Sequence, residues 1–126
     1  MATKNLTLDA LENTLKENDI VLIDFWAEWC GPCRMFGPTF ERVSEKNPDI
    51  AFMKVNTEKE QQLAAVFGIQ SIPTLAIFRD NIMIFKQPGA LPESALEDVI
   101  KQVRALDMDK IREEIETQQA EAPTAQ

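Results

Sequence analysis

The sequence predicts an α/β domain in which one mixed β-sheet is covered by helices on both faces. Three observations lead there. Helical and strand-like apolar patterns alternate along most of the 126 residues. The early strand-like runs are separated by stretches long enough for parallel crossovers. The last two runs are joined by a turn so short that they must pair antiparallel.

Taken in order, 8–18 carries Leu8, Leu11 and Leu15 at helical spacing, with Asp9 and Glu12 placed like a capping box and Thr7 competing for the cap. Ile20 to Trp26 is a dense β-branched and aromatic run, predicting a strand buried on both faces. A helix follows, with Met35, Phe36, Phe40 and Val43 as its inner stripe and an end near Asn47–Pro48. A second strand spans 50–55, and 58–67 predicts a short helix with Leu63, Val66 and Phe67 inward, ended by Gly68. Strands at 74–78 and 82–85 flank Arg79-Asp80-Asn81, where Asp and Asn tolerate the left-handed backbone of a tight hairpin. The last helix opens near Pro92 and aligns Leu96, Val99, Ile100, Val103 and Leu106.

From Asp107 the composition changes. Residues 107–126 hold six acidic and two basic residues, half of the net charge of −8. Met108, Ile111 and Ile115 predict two further turns of helix, and 118–126, without apolar periodicity, predicts disorder. The sequence thus divides into a domain at 1–106 and an acidic extension at 107–126.

With 44% hydrophobic and 27% charged residues, the composition is that of a globular domain with a core of useful size. The acidic balance argues against nucleic acid, which requires a basic footprint, and against an anionic membrane surface. The N-terminal segment lacks the apolar run of a signal peptide, and no stretch is long enough to cross a bilayer, so the expected address is cytoplasmic. The absence of histidine removes Cys–His nucleophile pairs and histidine-ligated zinc, so no metal is expected.

The chemistry concentrates at Cys30-Gly31-Pro32-Cys33, which follows a strand and opens a helix. A thiol at a helix N-terminus faces unpaired N–H groups and the positive dipole end, which favour the thiolate. Pro32 has no N–H to lose there. Cys33, one turn on and less exposed, can resolve a mixed disulfide formed at Cys30, and such well-oriented neighbours reach effective molarities of about 10⁵ M or more. Asp24, inside Val21-Leu22-Ile23-Asp24-Phe25-Trp26, is either a buried carboxyl able to take a proton from Cys33, or a group exposed at a strand end or paired only structurally. The residue pattern leaves both open, and Lys54 is a candidate charge partner.

The stretch from Ile23 to Met35, with Trp29-Cys30-Gly31-Pro32-Cys33 at its centre, resembles the active-site signature of the thioredoxin family. Pro38, Lys54-Val55-Asn56, Ile72-Pro73-Thr74-Leu75 and Gly89-Ala90 extend the resemblance over roughly residues 5–106. It implies the thioredoxin fold, a five-stranded mixed sheet flanked by four helices. It implies Cys30 as nucleophile, Cys33 as resolving thiol, Asp24 and Lys54 as the proton-handling pair, and a cis bond before Pro73. Trp29, Gly31, Pro32, Ile72, Pro73, Gly89 and Ala90 would then form an apolar substrate-binding patch, with Trp26 packed behind it. The implied function is general protein-disulfide reduction by a cytoplasmic monomer. Such a protein holds no cofactor of its own and is recharged by thioredoxin reductase, which carries FAD and uses NADPH. Pro88, Glu58 and Asp80-Asn81 depart from the common pattern, which bears on partner preference. The alternatives are a redox-independent docking subunit using the acidic extension, or a specialised oxidase or isomerase.

Overall fold

The structure, a computed structural model, describes residues 2–121. The elements run β1 (Lys4–Asn5), α1 (Leu8–Glu17), β2 (Ile20–Trp26), α2 (Gly31–Lys46), β3 (Ala51–Asn56), α3 (Gln61–Val66), β4 (Thr74–Arg79), β5 (Ile82–Pro88), α4 (Glu93–Arg104) and α5 (Met108–Glu121). The sheet order is β1-β3-β2-β4-β5. β3 pairs parallel with β1 and β2, whereas β4 pairs antiparallel with β2 and β5. The mixed sheet and helices α1 to α4 are therefore as expected, and α5 lies in the extension.

Alternation along β2 divides the core. Leu22 joins Phe36, Phe40, Val43, Phe52, Leu96 and Ile100 under α2 and α4. Val21, Ile23 and Phe25 join Leu15, Val55, Leu63 and Phe67 under α1 and α3. Both faces of β2 are thus covered, which is why its sequence shows no polar alternation.

Several expectations are corrected. β1 is a two-residue strand that the apolar pattern did not signal. Thr7 is the N-cap of α1, but no side chain bonds the helix start, so the capping box of Asp9 and Glu12 is not formed. Met35 and Val66 are 76% and 64% exposed rather than inward. Phe36, Phe40 and Val43 already fill the stripe that α2 turns to the sheet, and Leu63 with Phe67 does so for α3. α3 begins at Gln61 rather than Glu58, because the Asn56 carboxamide accepts the Glu58 and Lys59 N–H groups in a turn.

The extension is also more ordered than its sequence suggests. α4 ends at Arg104, where the Arg79 guanidinium donates to the carbonyls of Val103, Arg104 and Leu106. A new helix, α5, starts after Asp107, whose Oδ1 accepts the Lys110 N–H. It continues through Gln118 to Glu121, correcting the expected disorder there; 122–126 lie outside the described residues. Met108 is buried, and Arg112 bridges Asp80 in the β4–β5 turn. That turn has Asp80 and Asn81 at φ 52° and 65°, the left-handed pair a two-residue hairpin requires.

Candidate active site

β2 delivers the chain to its carboxyl end at Trp26, and buried Ala27 accepts the Cys30 N–H. Cys30 is the N-cap of α2: its backbone is extended, and its Sγ accepts the Cys33 N–H at 3.2 Å, as a capping oxygen would. Pro32 occupies the first turn of α2, where no N–H is needed. The helix brings the two Cα atoms to 5.2 Å and the sulfurs are joined as a disulfide. The sequence predicts Cys33 to be less exposed than Cys30, but in this closed state both are buried, at 3% and 4%.

Behind the disulfide, even-numbered residues of β2 face α2, so Asp24 and Trp26 point to the same side as Leu22. Asp24 is fully buried, so it is not an exposed group at a strand end. Neither of its oxygens has a hydrogen-bond partner among the described residues, and the same holds for Trp26 Nε1. Burial pushes the Asp24 carboxyl up to about 7, and the charge of Lys54 opposes that rise. Lys54 is the register partner of Asp24 on β3, and its Nζ sits 4.8 Å from the Trp26 ring centroid. Trp26, Cys33, Gly37, Pro38 and Lys54 line an open cavity of about 630 Å³. Gly37, which sequence reasoning did not single out, lines this cavity beside Pro38, and a Cβ there would meet Lys54 Nζ only at an ordinary contact distance of 3.8 Å.

In front of the disulfide, the loop from Gly68 to Pro73 crosses beside Cys30. The Ile72 carbonyl oxygen lies 3.7 Å from Cys30 Sγ, and the Ile72–Pro73 bond is cis. The Pro73 ring is buried, and its carbonyl accepts the Gly89 N–H at 2.8 Å. Gly89 stands at φ 110°, a conformation that excludes a side chain without strain. Trp29 is 67% exposed, and Gly31, Pro32, Gly89 and Ala90 are also on the surface, with Ile72 half-buried. Of the residues expected in the patch, Pro73 alone is buried.

A strand that ends in a helix-capping cysteine, bonded to a second cysteine one turn later, is matched by a family model. Residues 2–102 match the family model Thioredoxin. The chain belongs to the thioredoxin family. It is 55% identical over 121 residues to a Streptomyces coelicolor protein named as a thioredoxin, covering 96% of this chain and 90% of the relative. A thioredoxin of Porphyra purpurea is 39% identical, covering 79% and 95%. Among solved structures, a mutant thioredoxin from Halobacterium salinarum superposes with a TM-score of 0.77 at 34% identity, covering 83% and 93%. Oxidised mitochondrial thioredoxin 3 of Saccharomyces cerevisiae gives 0.73 at 34%, covering 80% and 95%. As a thioredoxin with a bonded cysteine pair, the protein is a thiol–disulfide oxidoreductase. Among the described residues no cluster of three or more His, Cys, Asp or Glu could hold a metal ion, and no helix is long and apolar enough to cross a membrane.

Proposed function

We propose that this thioredoxin is a general reductant of protein disulfides, with Cys30 as the attacking sulfur and Cys33 as the resolving one. In the reduced protein the Cys30 thiolate is favoured by the Cys33 N–H and by the positive end of α2. It attacks one sulfur of a substrate disulfide, forming a mixed disulfide and releasing the other substrate sulfur as a thiolate, which takes a proton. Cys33 gives up its proton and attacks Cys30 Sγ. The second substrate sulfur leaves as a thiol, and the Cys30–Cys33 bond seen here is restored. Two electrons pass from the cysteine pair to the substrate. Asp24 is the group suited to accept the Cys33 proton, because a carboxyl held near 7 exchanges protons at neutral pH. Lys54 stabilises its ionised form.

Trp29, Gly31, Pro32, Ile72, Gly89 and Ala90 form the docking patch over Pro73, and an apolar surface with few charges suits varied protein substrates. Recharging requires a two-electron donor; an NADPH-dependent thioredoxin reductase is the partner proposed, in the cytoplasm.

The observation that carries the reading is the disulfide at the head of α2 with Cys30 as its cap. The test is reduction of insulin by dithiothreitol. Wild type accelerates it and Cys30→Ser does not; pre-reduced Cys33→Ser, mixed with insulin after dithiothreitol is removed, accumulates a mixed disulfide that gel electrophoresis resolves under non-reducing conditions. Full activity in Cys30→Ser removes the proposal.

A further inference from the structure

β5 holds the loop beside Cys30 at two points. One is the Gly89 N–H on the Pro73 carbonyl, just beyond the end of the strand. The other is a side chain: Lys86 Nζ donates to the Phe67 carbonyl at 2.5 Å. Phe67 closes α3, and Gly68 follows at φ 62°, with its N–H on Ala65 and the Ile69 N–H on Ala64. Lys86 Nζ would lie 3.7 Å from a Cβ on Gly68, so the ammonium sits against the very start of the loop. Between the two points run only Gly68 to Ile72, ending in the carbonyl 3.7 Å from Cys30 Sγ.

Lys86 reaches α3 because of an irregularity in β5. Ile77 pairs with Phe85 but Phe78 pairs with Met83, which leaves Ile84 as the extra residue of a bulge. Ile84 and Phe85 therefore both pack toward α2 and α4. Lys86 falls opposite Ala76, whose side chain belongs to the cluster under α1 and α3. The bulge and Lys86 act as one device: without the extra residue, Lys86 would face away from Phe67.

We infer that Lys86 is a positioning residue for substrate: by fixing Phe67 it holds the 68–72 segment, and with it the Ile72 backbone, at the distance from Cys30 that an incoming peptide needs. This deepens the reductase reading and rests on it. Lys86 touches neither sulfur, so its loss should weaken peptide docking and leave the thiol chemistry intact. A charge-assisted hydrogen bond is among the stronger kinds, and exposure of the lysine stem reduces its effect.

The experiment compares wild type, Lys86→Met, which keeps the stem without the donor, and Lys86→Arg, which restores a cationic donor. Two substrates are used: insulin, and 2-hydroxyethyl disulfide, which has no peptide backbone. In Lys86→Met the KM for insulin should rise roughly 5-fold with kcat within about 2-fold, as expected for loss of uniform binding. Turnover of 2-hydroxyethyl disulfide should stay unchanged, and Arg should restore the insulin KM. Amide hydrogen exchange at Gly68 and Ile69, whose N–H groups donate to the Ala65 and Ala64 carbonyls beside Phe67, should quicken by a similar factor. An unchanged insulin KM, or an equal loss on both substrates, overturns the inference. So does unchanged exchange at Gly68 and Ile69, which judges the clamp even if wild type fails to reduce insulin. That last failure would count against the reductase reading alone.

Discussion

Replacing Asp24 by Asn removes an ionisable group from a fully buried site with no hydrogen-bond partner among the described residues. The carboxyl titrates near 7 in the folded protein against 3.8 in its ordinary state. Between those values the folded state holds a proton that the unfolded state has released, so wild-type stability falls as pH rises through that window. A tenfold change in an acid dissociation constant is worth about 1.4 kcal/mol, so ionising buried Asp24 costs about 4 kcal/mol once both states are deprotonated. The Asp24→Asn variant escapes that cost. Its stability relative to wild type should therefore grow by about 4 kcal/mol from roughly pH 4 to pH 8, at about 1.4 kcal/mol per pH unit in mid-window. Urea unfolding of the oxidised proteins measures this directly, because neither cysteine titrates and the remaining carboxylates cancel in the difference. A pH-independent difference would refute the reasoning, and so would a wild type that gains on the variant as pH rises.

Other perturbations test the remaining architecture. Phe40→Ala should cost about 3–5 kcal/mol in urea unfolding, because Phe40 is fully buried and its ring meets both Phe36 and Phe52. Arg79→Met should cost about 1–3 kcal/mol in the same assay by leaving the carbonyls at the end of α4 without their charged donor. Arg112→Ala breaks only exposed ion pairs to Asp80 and Asp109. It should speed amide exchange within α5 while insulin reduction and the global unfolding midpoint stay unchanged.

The parts legible in the sequence are those whose side chains carry the decision. β2 announces itself because every residue from Ile20 to Phe25 is buried, and the hairpin because Asp80 and Asn81 accept positive φ. Cys30 and Pro32 mark the head of α2, since cap and first turn are sequence-local features. β1 was missed because Lys4 and Asn5 are exposed and pair through backbone alone. The break between α4 and α5 was missed because Arg79, distant in sequence, supplies the cap; Asp107 ahead of Met108 was the local clue. The bulge at Ile84 left no trace in a run that alternates poorly, and the reach of Lys86 to Phe67 is a tertiary contact. For Asp24, burial depended on coverage by α2, which the residue pattern of β2 alone could not decide.

The chain contains two tryptophans and no tyrosine. One indole, Trp26, lines the same cavity as Cys33, and the other, Trp29, precedes Cys30 on the open side. The intrinsic emission of the molecule thus originates entirely within reach of the sulfur pair, one chromophore on each side of it. Opening that bond should therefore change the tryptophan emission, and a fluorimeter trace taken during reduction, without any added dye, measures it.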